Sequence, residues 1–154
     1  MPPSKDTSTN ISLTKKILRM NDVELHEAII QDCLPCYPTT EPPKDIQLDA
    51  VMRLVKRRNT FVMAGTGCGK SRISEMYLHL FAASKHGVVL VLNPLNALGD
   101  NQVLEKKAQG YSAVNLKKLT FTKTVANDIQ KGKYNFVYLS PEIFLNNESF
   151  TEIC

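Results

Sequence analysis

Between positions 64 and 71 the chain reads Ala64-Gly65-Thr66-Gly67-Cys68-Gly69-Lys70-Ser71. Glycines, a lysine and a hydroxyl at this spacing have the chemistry of a loop that holds phosphate. Gly67 and Gly69 tolerate positive backbone dihedrals and leave room for an anion against the main chain. The amides from about Gly67 to Ser71 can then turn inward as an anion-binding nest. A helix starting near Lys70 adds its N-terminal partial positive charge. Lys70 would reach the β- and γ-phosphates of a nucleotide, and the Ser71 hydroxyl would ligate Mg²⁺. The pattern departs from its commonest form at its first position, where Ala64 replaces glycine. The plainer alternative is an ordinary glycine turn between a strand and a helix.

A phosphate loop needs a strand before it and a helix after it. Thr60-Phe61-Val62-Met63 reads as a short buried strand. Ile73, Met76, Tyr77, Leu80 and Phe81 fall on one face of a helix expected to run to about Ser84. Val88-Val89-Leu90-Val91-Leu92 is a continuous apolar run, as in a strand covered on both faces. Asn93-Pro94-Leu95-Asn96-Ala97-Leu98 then leads into a helix through Gln102 that ends at Gly110. Residues 112–116 form a weak strand, and 122–131 a helix with Val125, Ala126 and Ile129 inward and Gly132 as its stop. Phe136-Val137-Tyr138-Leu139 is a third clear strand, followed by Ser140-Pro141-Glu142 and a short helical turn. Strands alternating with helices imply an α/β fold with a parallel sheet flanked by helices. Ligands of such sheets bind at the carboxyl ends of the strands.

Upstream, residues 1–10 are polar and expected to be disordered, and 11–20 form a helical turn or more. Asn21 and Glu24 have capping-box spacing ahead of a helix carrying Val23, Ile29 and Ile30 inward. Pro38, Pro42 and Pro43 mark an extended linker. Residues 45–58 read as a helix with Ile46, Ala50, Val51, Leu54 and Val55 on its apolar face. Lys56-Arg57-Arg58 falls in its last turn, where cations suit the helix dipole. A solvated helix end is the plain reading of that triplet, and a DNA contact or nuclear signal the sharper one. The division is an N-terminal helical or disordered appendage and linker, 1–43, and a nucleotide-binding domain, 44–154.

A length of 154 residues suits one domain, and a formal net charge of +4 is compatible with nucleic acid without demanding it. No apolar run approaches a membrane span, and no signal-peptide pattern opens the chain, so a soluble intracellular protein is expected. Of the four cysteines, Cys33 and Cys36 form a Cys-x-x-Cys pair, Cys68 lies in the loop, and Cys154 is last. No second pair completes a zinc site, and the first pair ends a helical pattern instead of opening one, so free thiols are expected.

The order of motifs is more telling than any one of them. Gln47, the 64–71 loop, Asn93-Pro94-Leu95-Asn96-Ala97-Leu98 with Gln102, then Leu139-Ser140-Pro141-Glu142 resembles the first lobe of a superfamily 2, DEAD/DEAH-type helicase. Within that group it is most similar to RecQ-like DNA helicases, across about residues 43–145. The resemblance implies a partial RecA-like P-loop NTPase domain that binds ATP with Mg²⁺. It implies nucleotide contacts at Gln47, Thr66, Gly67, Cys68, Gly69, Lys70 and Ser71, with Gln47 on the adenine, Lys70 and Ser71 catalytic, and Ser71 on the metal. It places single-stranded or partially unwound DNA along Pro94, Leu95, Asn96, Ala97, Gln102, Ser140 and Glu142, and it implies a nuclear protein. Phosphates there would be met by amides and small polar groups without reading sequence. The family's Phe-Arg ahead of the glutamine appears here as Pro43-Lys44, which puts a guanidinium contact to the nucleotide in doubt.

Two parts of such a motor are missing from the sequence. No apolar strand ends in the family's Asp-Glu pair, which orients Mg²⁺ and the attacking water. Glu142 after the 136–139 strand is a poor substitute beside a proline. The second lobe, with its arginines for the γ-phosphate, is also absent, and the expectation is a C-terminally truncated helicase. The alternatives are a non-catalytic module binding ATP or nucleic acid, and an unrelated small P-loop NTPase or kinase. The latter would want an arginine-rich lid that the sequence lacks.

Overall fold

Two separate hydrophobic clusters form from this sequence, one in each of the two units, 1–85 and 86–154, into which the chain divides. A computed structural model describes residues 13–35, 37, 40–81, 86–94, 96–117 and 120–146.

The first unit holds four helices: α1 (Lys15–Arg19), α2 (Asp22–Cys33), α3 (Asp45–Val55) and α4 (Ser71–His79). The box expected at Asn21 forms. Its Oδ1 accepts from the Glu24 amide at 2.9 Å, and the Asn21 amide donates to Glu24 Oε2 at 3.0 Å. Both partners thereby satisfy helix-end groups that would otherwise need water. The buried stripe of α2 is Leu25, Ile29 and Cys33, four residues apart. Val23 lies about 200° round the helix from Leu25 and is exposed, contrary to the expected inward face. The α2 stripe packs with Leu48, Val51 and Val55 of α3 and with Met76 of α4. Each such side chain contributes roughly 1.5–3 kcal/mol on burial. The described part of 13–43 therefore shares one core with the helices on either side of the phosphate loop.

Three further expectations change in this unit. Helix α3 stops at Val55, so Lys56-Arg57-Arg58 follows it instead of forming its last turn. Arg57 takes a left-handed conformation (φ 56°), and the Arg58 amide reaches back to the Arg53 carbonyl at 3.0 Å. That long bond closes the helix in the manner usually reserved for glycine. Ile46 is exposed at 37%, and Gln47 and Leu48 are buried instead. Finally, residues 60–63 are not a paired strand. They run without a ladder partner among the described residues, and Phe61 and Met63 are 88% and 84% exposed. A strand exists only through its neighbour's hydrogen bonds, and no described residue of the first unit supplies them. Residues 82–85, where the α4 pattern was expected to end, lie outside the described residues.

The second unit holds β1 (Val89–Leu92), α5 (Asn96–Ala108), β2 (Ala113–Leu116), α6 (Lys123–Gln130), β3 (Phe136–Leu139) and α7 (Pro141–Asn146). The strands form a parallel sheet in the order β1-β3-β2, with Val89, Phe136 and Ala113 in one row and Leu92, Leu139 and Leu116 in another. The expected parallel α/β sheet flanked by helices is present, and β3 is its buried centre. Phe136 and Tyr138 face α5, whose Lys106 sits over the Phe136 ring at 5.0 Å. Val137 and Leu139 face the other way, onto Ile129 and Val125 of α6. Edge strand β1 is not covered on both faces as its apolar run suggested. Leu90 and Leu92 are 39% and 48% exposed. Helix α5 approaches β2 so closely that a Cβ on Gly99 would lie 2.7 Å from Asn115 Oδ1. Among the described residues no helix is long and apolar enough to cross a membrane.

Candidate functional site

The phosphate loop leads directly into α4, with Lys70 at the N-cap position and Ser71 the first helical residue. Gly67 and Gly69 both take positive φ, 79° and 76°, as expected of a loop turning its amides toward an anion. Nothing lies within 4 Å of where a Cβ on Gly65 or Gly67 would be, so the space over these residues is open. Thr66 and Ser71 are exposed, and Cys68 is half-buried and free. The Lys70 ammonium folds back across the loop, donating to the carbonyls of Ala64 at 2.7 Å and Gly65 at 2.9 Å. It holds neutral acceptors of the loop itself. This donor set, with an open cradle at a helix N-terminus, fits a nucleotide's phosphates and a cation on the Ser71 hydroxyl.

Gln47 is 1% exposed and fully engaged. Its Oε1 accepts from the Lys44 amide at 2.9 Å, the glutamine half of a capping-box arrangement at the start of α3. Its Nε2 donates to the carbonyls of Gly69 at 2.9 Å and Cys68 at 3.3 Å. One amide thus ties the start of α3 to the tip of the phosphate loop. A Cβ on Gly69 would meet that Nε2 at 2.6 Å, so residue 69 must be glycine for space as well as for φ.

Sequence reading missed a second tie. The Arg72 guanidinium lies over the Tyr37 ring, 3.6 Å from its centroid, and donates to the Glu41 carbonyl at 3.0 Å. The Tyr37 hydroxyl donates to the carboxylate of Glu75, which is 2% exposed. The segment before α3 is thereby fastened to the first turn of α4, immediately beside Lys70 and Ser71. The only hint in the sequence was Arg72 directly following the serine. Its partners are more than thirty residues away.

In the second unit, the polar residues gather at the carboxyl ends of the strands. The Asn93 amide, just past β1, donates to the Leu139 carbonyl at 2.8 Å, and Asn93 Nδ2 donates to Gln102 Oε1 at 2.7 Å. Ser140 follows β3, is 7% exposed, and its carbonyl accepts from the amides of Ile143 and Phe144. Pro94, Ala97 and Glu142 are exposed. Leu95 and the Asn96 side chain lie outside the described residues. Past β2, Asp100 accepts from Lys117 Nζ at 2.7 Å and from Asn115 Nδ2 at 2.9 Å. Those hydrogen bonds, Lys117 first, hold its carboxyl below the usual carboxylate range. This acid-base pair was not singled out from sequence. The structure brings Asn93, Gln102 and Ser140 to one edge of the sheet, and Asp100 and Lys117 to the end of its third strand. Among the described residues no cluster of three or more metal-ligating side chains occurs.

Comparison with known proteins agrees with the order of motifs. A family model described as DEAD/DEAH box helicase matches residues 44–153. A mouse protein, bifunctional 3'-5' exonuclease/ATP-dependent helicase WRN, is 27% identical over 117 residues, which cover 75% of this chain. The chain spans about 8% of that relative's length. Together the two findings bear out the RecQ-like, DEAD/DEAH-type resemblance and the partial RecA-like fold.

Proposed function

The chain belongs to the DEAD/DEAH box helicase family, and from that premise we propose that it is the ATP-binding portion of a RecQ-like, ATP-dependent DNA helicase. Mg-ATP would be held on the loop from Thr66 to Ser71, with the adenine near Gln47. Single-stranded DNA would be held in the second unit by Pro94, Leu95, Asn96, Ala97, Gln102, Ser140 and Glu142. The main support is the loop itself, open above Gly67 and pinned from below by Gln47.

Each residue has a distinct part in this reading. The amides of Gly67, Gly69, Lys70 and Ser71 would orient a phosphate chain, while the Cys68 amide already donates to the Gly65 carbonyl at 3.3 Å and would have to leave it to join them. Lys70 exchanges two carbonyls for phosphate oxygens, and charge-assisted bonds are roughly twice as strong as neutral ones. Ser71 offers its hydroxyl to a divalent cation. Bound Mg-ATP would supply the phosphoryl group whose loss drives a helicase cycle. Both Nε2 hydrogens of Gln47 are spent on loop carbonyls, so donating to an adenine requires it to give up one of them. Adenine binding is thereby coupled to loop shape. The family resemblance also implies a nuclear protein acting on DNA.

Replacing Lys70 with alanine tests the loop. Lys70→Ala is expected to weaken binding of a fluorescent ATP analogue at least about tenfold, the loss of one charge-assisted contact. Unchanged affinity would remove the nucleotide assignment.

One observation favours a second reading. Strands β1, β2 and β3 are followed by Asn93, Lys117 and Ser140, none of them a carboxylate that could orient an attacking water. On that reading this span binds ATP and nucleic acid without turning ATP over. DNA-stimulated phosphate release by the purified chain would exclude it.

A further inference from the structure

The first unit carries a concentration of cations at the end opposite its phosphate loop. Helix α3 begins at the loop, where Gln47 grips Gly69, and its eleven residues carry it about 16 Å away. Helix α4 also begins at the loop. Val55, the last residue of α3, packs in one cluster with Tyr77 and with Leu80 just past α4, so the two helices also end close together. Lys56 Nζ contacts Asp22 Oδ1 at 2.5 Å, which brings the start of α2 to the same place. Arg19, the last residue of α1, is three positions before Asp22. Arg19, Lys56, Arg57 and Arg58 therefore converge, with Lys15 and Lys16 up to one turn back along α1 and Arg53 behind them on α3. All seven are exposed.

Four carboxylates accompany them: Asp22, paired with Lys56; Glu24, which also caps Asn21; Asp49, one turn before Arg53; and Asp32, whose charge acts on His79 at the end of α4. Helix dipoles explain part of the basic excess. Three helices end here, each with about half a negative charge. The cations outnumber what those ends and carboxylates require. Arg57 adds an independent observation. It occupies the left-handed closing position of α3, where a non-glycine side chain costs roughly 1 kcal/mol. Glycine would close the helix better, yet the position carries an exposed arginine next to Lys56 and Arg58.

We propose that this end of the first unit is a binding surface for the phosphate backbone of a nucleic acid, built from residues other than those of the nucleotide loop and of the strand-end track. Four of its seven cations are arginines, whose planar forks match phosphate oxygens two at a time. The exposed apolar side chains beside it, Leu18 and Val23, are too few for insertion into a bilayer. The surface binds by charge and shape, so it takes duplex without sequence preference. It does not depend on the nucleotide assignment.

The test uses the whole chain, a fluorescently labelled twenty-base-pair duplex, and anisotropy titrations between 50 and 200 mM salt. In the double variant Arg57→Gly/Arg58→Ala, glycine suits the left-handed position, so Tm should not fall. Duplex affinity at 50 mM salt should drop about tenfold, and the slope of log affinity against log salt should become shallower by about 2. Affinity for a fluorescent ATP analogue should stay the same. Arg19→Gln, which touches no helix closure, should make the slope shallower by about 1. Any of three results overturns the proposal: unaltered slopes in both variants, no duplex binding by the parent chain, or binding to phosphatidylserine vesicles with none to duplex.

Discussion

Replacing Gln47 with glutamate exchanges one NH₂ for an oxygen and changes almost nothing in size. The bond from the Lys44 amide to Oε1 can persist. The two bonds to the Gly69 and Cys68 carbonyls cannot, because a carboxylate only accepts. Each lost bond is worth about 1 kcal/mol net. An oxygen then faces two carbonyl oxygens at a position 1% exposed, which adds about 1–3 kcal/mol for buried groups without partners. The total is about 3–5 kcal/mol, a large share of the ~5–15 kcal/mol available to a domain. For a chain of this size that is a fall in Tm of about 6–20 °C at pH 7.5. Protonation restores one donor, so the folded state raises this carboxyl's pKa above the unfolded value of about 4.3. Stability contributed by such a group is present below the unfolded pKa and is lost as pH rises through the folded pKa. The gap between variant and parent should therefore be smallest near pH 4 and widest above neutrality. Thermal unfolding at pH 4.5, 6 and 7.5 measures it. A variant within 2 °C of the parent at every pH would refute the clasp between α3 and the loop.

Other perturbations address other parts of the chain. Phe61→Ser is expected to change stability by no more than about 0.5 kcal/mol, since the ring is 88% exposed; a loss of about 3 kcal/mol in urea unfolding would restore the buried strand expected from sequence. Burial lowers Lys106 to about 8, so its charge opposes folding at neutral pH, and the second unit should gain stability between pH 7 and 9.5 as the folded-state amine loses its proton first. Lys106→Met should abolish that dependence and raise Tm at pH 7 by a few degrees, about 1 kcal/mol after the lost contact with Phe136; a parent chain of flat stability across the window would contradict it. Raising salt from 50 to 200 mM should weaken single-stranded DNA binding by a larger factor than ATP-analogue binding, and equal factors in parallel titrations would count against the exchange argument below.

Local patterns carried much of the fold into the sequence. The Asn21–Glu24 box is a four-residue signal, and it forms. Phe136 to Leu139 is apolar throughout because it is the central strand, and an unbroken run is how such strands read. Residues 60–63 show where that logic stops. Their apolar run was real, but pairing depends on a neighbour that the pattern cannot name. Leu90 and Leu92 fail in the same way, since an edge strand and a central strand can carry the same apolar run. Gln47 came from motif order. Its engagement with two loop carbonyls became visible only with coordinates. The stack of Arg72 on Tyr37 is a meeting of residues 35 positions apart, and no local pattern encodes it.

The two candidate surfaces share a feature that bears on how tightly each would hold its ligand. Their polar side chains are already bonded to the protein. Lys70 holds the Ala64 and Gly65 carbonyls, Asn93 holds Gln102, and Lys117 holds Asp100. Binding an anion is then an exchange, and its gain is the difference between the new partner and the old one. On the proposed reading Lys70 would trade neutral carbonyls for charged phosphate oxygens, and that exchange is favourable. Lys117 is not among the proposed DNA contacts; if DNA reached it, it would trade one anion for another and leave Asp100 with Asn115, a nearly balanced exchange. On the proposed reading, what remains to hold DNA in the second unit is the release of counterions and contacts from amides and small polar groups, and those weaken steeply with salt. That reading predicts an asymmetry suited to a motor: a firm grip on the nucleotide that drives each step, and a loose grip on the strand it must let slide.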